Sequence, residues 1–295
     1  MKKLTPSEIE IPVLHQFLLG AVAPRPIALA STVDREGRAN LSPYSFYNAF
    51  GVNPTTLIFS PSRRGRDNTT KHTYENIKEV PEVVINAVTY SMVQQTSLSS
   101  TEYPKGVDEF IKSGFTPLPS EKVKPFRVKE SPVQFECKVR QVIETGTQGG
   151  AGNLVICEIL LIHVNPEVLD ERGRIDTRKM DLVGRMGADF YVRASGNAIF
   201  EVEKPLARLG MGVDRLPDHI RLSKILTGND LGRLGNLEHL PQPEEIENIR
   251  KHPDVAAILE SRNSDKEKKT ENLHRLAQAW IEKGDVKQAL ALLMV

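Results

Sequence analysis

Two long runs of β-type residues, VQFECKVRQVIE at 133–144 and LVICEILLIHV at 154–164, are separated only by the glycine-rich TGTQGGAGN. Runs of that length with a turn signal between them predict a long antiparallel hairpin. Short apolar runs at 26–33 (PIALASTV), 55–60 (TTLIFS) and 82–88 (EVVINAV) add further strands. Helical patterns in this part are sparse: 73–80 with Thr73 as N-cap, 91–99 and 107–113. The strands are not spaced by regular long helices. That disfavours a doubly wound parallel sheet and favours a mainly β chain, an antiparallel barrel with helical insertions.

Beyond about residue 204 the β-type runs disappear. Leu273, Leu276, Ala277, Trp280 and Ile281 recur at helical spacing, Gly284-Asp285 interrupts them, and 288–294 resumes the pattern. This predicts a helix–turn–helix hairpin within a helical C-terminal extension. The charged stretch 263–271 reads as a solvated helix start or linker. The expected division is therefore 1–202 for the β domain and 203–295 for the extension.

Composition excludes several classes. With 39 Lys plus Arg against 38 Asp plus Glu, the chain is not a generic polyanion binder, so no nucleic-acid partner is expected. There is no apolar run long enough to span a membrane, and the first 20 residues are too interrupted by Glu8, Glu10 and Pro12 for a signal peptide. Two cysteines in 295 residues fit a reducing cytoplasm, where the protein is expected to reside. The seven histidines show no metal-ligand spacing, and Cys137 and Cys157 read as small buried residues within strands. No GxSxG elbow, Walker loop or GxGxxG fingerprint is present.

Two segments could carry chemistry. SPSRRGRDNTTKHT, 60–73, sets Arg63, Arg64, Arg66 and Lys71 against the single acid Asp67, between a strand end and a helix start. Cations, hydroxyls and a helix start are the parts of a phosphate site. A solvated basic loop is the commoner explanation of such composition. ANLSPYSFYNAFGVNP, 39–54, places Ser42, Tyr44 and Phe46 on one edge of an extended segment. It could lie along a planar heterocycle, or be an edge strand bearing core aromatics. Ahead of it, residues 23–45 form a hairpin in which Arg25 is held between two prolines.

In order along the chain, PRPIALASTVDREGRANLSPYSFYNAF (24–50), NPTTLIFSPSRR (53–64), KHTYENI (71–77) and EVVINAV (82–88) resemble the flavin reductase-like, FMN-binding split-barrel family, which includes flavoredoxin. GVDEFIKSGFTPLPSEKV (106–123), ESPVQFECKV (130–139), GNLVICEILLIHV (152–164) and DLVGRMGADFYVRAS (181–195) continue the likeness. The resemblance implies a six-stranded split antiparallel β-barrel that forms a homodimer, with FMN near the subunit interface. It implies that Ser42, Pro43, Tyr44 and Ser45 run along the isoalloxazine ring, and that Ser60, Arg63 and Arg64 approach the ribityl phosphate. Lys71 and Thr73 match the family's Lys-Asp-Thr, with His72 in place of the Asp. Asn86 matches a strand asparagine near the flavin, and Gln95 to Ser99 fall on the substrate side. Arg185 and Tyr191 match a closing R-x-G-x-x-x-Y motif, with Ala188 where glycine is common. The implied activity is an oxidoreductase passing hydride from NAD(P)H through FMN to a flavin, ferric or protein acceptor. The alternative is a flavin-binding electron carrier without its own nicotinamide site. Either way no catalytic side chain and no metal are expected, because the flavin carries the chemistry.

Overall fold

The long hairpin lies at the centre of a seven-stranded antiparallel sheet, with Val133 facing Val164 at one end and Glu144 facing Asn153 at the other. Register shifts at Glu136/Cys137 and Val139/Gln141 let so long a pair bend and twist. The computed structural model describes residues 1–205, 209–261 and 265–295, in two compact units, Met1–Phe200 and Glu201–Val295.

In the first unit, helix α1 (Ile11–Ala21) precedes strands β1 (Ala28–Val33), β2 (Ala39–Tyr44), β3 (Tyr47–Val52) and β4 (Thr55–Phe59). Helix α2 (His72–Glu79), strand β5 (Glu82–Ala87) and helices α3 (Val93–Leu98) and α4 (Glu109–Ser113) follow. The short pair β6 (Pro117–Leu118) and β7 (Arg127–Val128) leads into the hairpin strands β8 (Val133–Glu144) and β9 (Asn153–Val164). Helix α5 (Thr177–Met180) and the pair β10 (Val183–Arg185) and β11 (Tyr191–Arg193) complete the unit. The sheet order is β2-β1-β5-β8-β9-β4-β3.

The sheet thus has seven strands rather than the expected six. The extra strand arises because the run 39–52 breaks at Ser45-Phe46, and its halves pair at opposite edges, β2 with β1 and β3 with β4. Two residues span only about 11 Å from Tyr44 to Tyr47. The edges therefore return to each other at this corner, and the Ser60 N–H donates to the Phe46 carbonyl there at 2.9 Å.

Every residue of β1 is buried. Ala28 and Ala30 join Phe59, Ile85, Cys137, Val155 and Cys157 in one core, while Leu29 faces Leu41, Phe110, Phe115 and Val128 on the other side. A strand covered on both faces reads as a continuous apolar run, as PIALASTV does. The β1–β2 turn is held by the buried Asp34 carboxylate, which accepts from the Glu36 and Arg38 N–H groups and from Arg38 Nε at 2.6 Å.

Three helix expectations change. Helix α2 starts at His72 with Lys71 at the N-cap, and Thr73 lies within the first turn instead of capping it. Its hydroxyl is already claimed, accepting from Asn40 Nδ2 at 2.9 Å and from the Tyr44 hydroxyl at 2.8 Å. The stretch expected at 91–99 divides into a 3₁₀ turn, Tyr90–Met92, and α3. The one expected at 107–113 begins only after Asp108, whose carboxylate caps the Phe110 N–H at 2.8 Å. Helix α1 has no counterpart among the sequence expectations, and none of its residues is buried.

The second unit contains helices α6 (Asp218–Arg221), α7 (Gly228–Gly235), α8 (Pro243–Arg250), α9 (Pro253–Glu260), α10 (Lys266–Lys283) and α11 (Val286–Leu293). Gly284 adopts φ +95° between the last two, the left-handed conformation a glycine C-cap provides. Ala277, Trp280 and Ile281 are buried with Leu234, Val255, Leu290 and Leu292. Of the charged stretch 263–271, residues 263–264 lie outside the described residues, and the remainder opens α10 behind an Asp265 cap. Thr227 and Asp230 form a reciprocal capping box at α7, and Asp230 also accepts from Gln278 Nε2 at 2.9 Å. Thr227→Ala is expected to cost about 1 kcal/mol. Trp280 is the chain's single tryptophan, so denaturant unfolding of the full chain followed by its fluorescence reads this loss as a lower midpoint with unchanged slope.

Candidate functional site

Strand β2 presents Asn40, Ser42 and Tyr44 at period two toward an open cleft. The basic loop and the first turn of α2 add Arg64, Lys71, His72 and Thr73, and the segment after α3 adds residues 99–103. Glu109, at the start of α4, completes the lining. The floor is a closed polar network. Asn40 donates to both Thr32 and Thr73, Asn76 donates to the same Thr32 hydroxyl, and Tyr44 donates to Thr73. The Tyr44 ring packs 5.5 Å from that of Phe59, and burial pushes its phenol up.

The basic loop is fixed from below. Arg63 exchanges backbone hydrogen bonds with the glycine-rich turn: its N–H donates to the Ala151 carbonyl at 2.9 Å, and its carbonyl accepts from Gly150 at 3.1 Å. A Cβ at Gly149 would lie 3.0 Å from the Gly65 carbonyl and 3.1 Å from that of Arg64, so glycine permits this approach. Ser60 Oγ accepts from the Asn153 N–H at 3.1 Å, and Asn153 Nδ2 donates to the Pro61 carbonyl at 3.0 Å. The turn expected only to close the hairpin therefore also braces the loop.

The loop's cations do not point at random. Arg64 Nε and Lys71 Nζ donate to the Glu102 carboxylate at 2.9 and 3.2 Å, and Arg66 donates to it as well. Arg64 also donates to the Thr69 hydroxyl and the Thr70 carbonyl, whereas Arg63 is turned onto Asn68. Burial raises the Glu102 pKa, but the bonds from Lys71 and Arg64 outweigh it and hold the group below the usual carboxylate range. Bonds from the Thr69 hydroxyl and N–H draw Asp67 down to about 2. A lowered carboxylate stabilises the fold above its unfolded value and loses that effect as pH falls through the folded value. The Asp67–Thr69 turn is therefore expected to persist from about pH 4 down to about pH 2, checked by carboxylate NMR titration. Burial lowers the His72 pKa, with Arg64, Lys105 and Lys71 adding to the effect against Glu75. Burial raises that of Glu109, against the Leu41 N–H bond at 3.0 Å.

Five of the ten sequence-predicted residues line this cleft: Ser42, Tyr44, Arg64, Lys71 and Thr73. Pro43 lies on β2 between two of them, and Ser45 occupies the bend, accepting from Arg25 Nε at 3.3 Å. Ser60 and Arg63 are not among the cleft residues: Ser60 accepts from Asn153, and Arg63 donates to Asn68. Asn86 is buried between strands, donating to the Leu29 carbonyl at 3.0 Å and accepting from the Val128 N–H at 2.9 Å. It is not among the cleft residues. Gln95 donates to the Ser113 and Gly114 carbonyls, so of 95–99 only Ser99 reaches the lining. Arg185 lies over the Tyr191 ring at 4.6 Å, and Ala188 has φ +49°, the left-handed conformation for which glycine is the usual residue. Sequence reasoning missed Glu102 and Glu109. The signal for Glu102 was an acid following the 91–99 helix that could offset a loop of net positive charge.

Residues 20–179 match the family model described as the flavin reductase like domain. The chain belongs to the flavin reductase-like split-barrel family. An uncharacterized protein of Aquifex aeolicus is 36% identical to this flavin reductase-like chain over 189 residues, covering 64% of the chain and 94% of that protein. Nitrilotriacetate monooxygenase component B from Bacillus cereus is similar in structure, with TM-score 0.64 and 27% identity, covering 68% of this chain and 98% of that one. The 2-nitrobenzoate 2-nitroreductase NbaA of Pseudomonas fluorescens gives TM-score 0.61 and 25% identity, covering 71% and 100%. These likenesses make the chain a flavin-related oxidoreductase in general terms. The family match ends at residue 179, ahead of the second unit, Glu201–Val295. Among the described residues no helix is long and apolar enough to cross a membrane, and no His, Cys, Asp and Glu group could hold a metal ion.

Proposed function

We propose that the chain is an FMN-dependent oxidoreductase that takes hydride from NAD(P)H and passes electrons to a flavin, ferric or protein acceptor. The observation that carries this is the convergence of Arg64, Arg66 and Lys71 at the edge of a cleft floored by Ser42 and Tyr44, within the family's matched span. A phosphate monoester carries close to two negative charges and three acceptor oxygens, so the donor set fits it. The polar strand edge of 42–45 would hold the ring system. Bound FMN would supply the redox chemistry, and the chain would supply binding, orientation and electrostatics. Buried Cys137 and Cys157, whose thiols burial pushes up, suit a reducing cytoplasm rather than a nucleophilic role.

A homodimer belongs to the same reading. Helix α1 buries no residue, yet Ile11, Val13, Phe17 and Leu18 are exposed on it, and Phe46, Phe50 and Val52 are exposed at the adjoining bend and β3. The His15 ring stands edge-on to Phe46 with centroids 6.4 Å apart, joining these groups into one surface. Such a surface marks an association site, and a second copy is its expected occupant. Light scattering should return twice the chain mass.

Purified protein is expected to take up FMN, turn yellow, and bleach anaerobically on adding NADH or NADPH. Protein that stays colourless in excess FMN would overturn the proposal. Reduction by a ferredoxin-like donor with none by NAD(P)H would assign an electron carrier instead. Truncation near residue 203 that left a yellow, dimeric core would make the helical unit a separate module.

A further inference from the structure

We propose that Glu102 is a resident counter-anion which a ligand's phosphate must displace, so that it sets how tightly and how selectively this site holds phosphorylated flavin. The proposal rests on the flavin reading above. Three cations share one carboxylate: Arg64 Nε at 2.9 Å, Lys71 Nζ at 3.2 Å, and Arg66. Their donors are the most concentrated positive charge on the cleft, and Glu102 occupies the point on which they converge. The carboxylate's two oxygens present to them what two oxygens of a phosphate monoester would. A phosphate cannot join without bringing like charges onto the same donors, at a separation where repulsion is severe. One anion must leave. Glu102 is the movable one, because it lies outside the helices in the segment after α3 and its side chain is a third exposed.

Charge decides the exchange. Asp67 already meets Arg66 at 3.3 Å, so three cations face two carboxylates, and one positive charge is left over while Glu102 holds the centre. A phosphate monoester, with almost two charges, satisfies it better. An uncharged flavin has nothing with which to displace Glu102 and gains nothing from the cluster. FMN binding is then the phosphate–cation attraction less the Glu102–cation attraction already present. Glu102 keeps the flavin exchangeable, and its removal should convert the site to tighter retention of FMN without altering riboflavin.

The test compares wild type, Glu102→Gln and Glu102→Asp in the full chain, with FMN and riboflavin titrated by flavin fluorescence. Glu102→Gln is expected to bind FMN about tenfold more tightly, with riboflavin affinity unchanged and Glu102→Asp close to wild type. A readout independent of flavin accompanies this. Without ligand, Glu102→Gln should melt lower than wild type, because Arg64 and Lys71 lose their carboxylate while Arg66 keeps only Asp67, and inorganic phosphate should raise its melting temperature more than that of wild type. If wild type binds FMN and Glu102→Gln binds it equally or less tightly, Glu102 merely positions the loop, and the displacement proposal falls while the flavin reading stands. If neither protein binds FMN or riboflavin, the flavin reading falls and takes this proposal with it.

Discussion

Arg64→Ala is expected to weaken FMN binding by roughly 10- to 100-fold while leaving riboflavin affinity unchanged. Arg64 is the most enclosed cation on Glu102, its side chain 14% exposed against 30% for Lys71 and 70% for Arg66. Low exposure matters because water screens the outer charges, and exposed pairs contribute little. The Arg64 fork also orders the loop through Thr69 and Thr70, so its removal loses both charge and geometry. Part of the loss is returned, since Glu102 is then held by fewer cations and leaves more readily, which is why the lower end of the range is included. Arg64→Lys keeps the charge but not the planar fork, and should fall between the two. Arg66→Ala should change affinity by no more than about twofold, as an exposed pair does. Fluorescence titration with both flavins separates these outcomes. An Arg64→Ala protein that retained wild-type FMN affinity would move the phosphate away from the loop.

Much of the barrel was legible because its strands are buried on both faces or long enough to show alternation. PIALASTV, EVVINAV and the two hairpin runs meet that condition, and all four are strands. The break at Ser45-Phe46 was not legible. Nothing in SPYSFYNAF distinguishes one bent strand from two, because the bend is imposed by pairing with β1 on one side and β4 on the other. The same limit explains Thr73. A threonine before a helical pattern reads as a cap, and only the fold shows that Asn40 and Tyr44, some 30 residues away in the chain, compete for its hydroxyl. The basic loop was visible as composition, but its electrostatic partner was not. Glu102 lies 31 to 38 residues from the cations it binds, and no local pattern couples them. Asn86 shows the same limit. Resemblance implies a place near the flavin, and only the fold shows that its amide is hydrogen-bonded to backbone groups of β1 and β7.

Arg25→Ala is expected to be among the more damaging single changes to the β unit outside its apolar core, destabilising it by about 3 kcal/mol. The side chain is 4% exposed and has no carboxylate partner among the described residues. Nη1 donates to the carbonyls of Leu19 at 2.6 Å and Val22 at 2.8 Å, Nη2 to that of Met186 at 2.8 Å, and Nε to Ser45 Oγ. Burial lowers its pKa, with Arg185 adding to the effect, yet a guanidinium remains charged at neutral pH. Leu19 and Val22 stand at the end of α1, where helix carbonyls lack partners and a cation is favoured. One side chain thus ties α1 to the β2–β3 bend and to the turn after β10. Its own backbone is fixed by reciprocal 2.9 Å bonds with Arg185. Alanine removes the shared donor from three carbonyls at once and leaves a cavity between them. At about 2–4 °C per kcal/mol for a unit of this size, the melting temperature should fall by roughly 10 °C. Lysine should not rescue it, because a single ammonium cannot reach acceptors spread across the width of the guanidinium fork. Hydrogen exchange should show residues 11–22 opening first. The freed Ser45 bend should also cost flavin affinity equally for FMN and riboflavin, unlike the loop variants, since the disturbance would lie at the ring-bearing strand and not at the phosphate end. A melting temperature within a degree or two of wild type would mean that the bend is held by strand pairing alone.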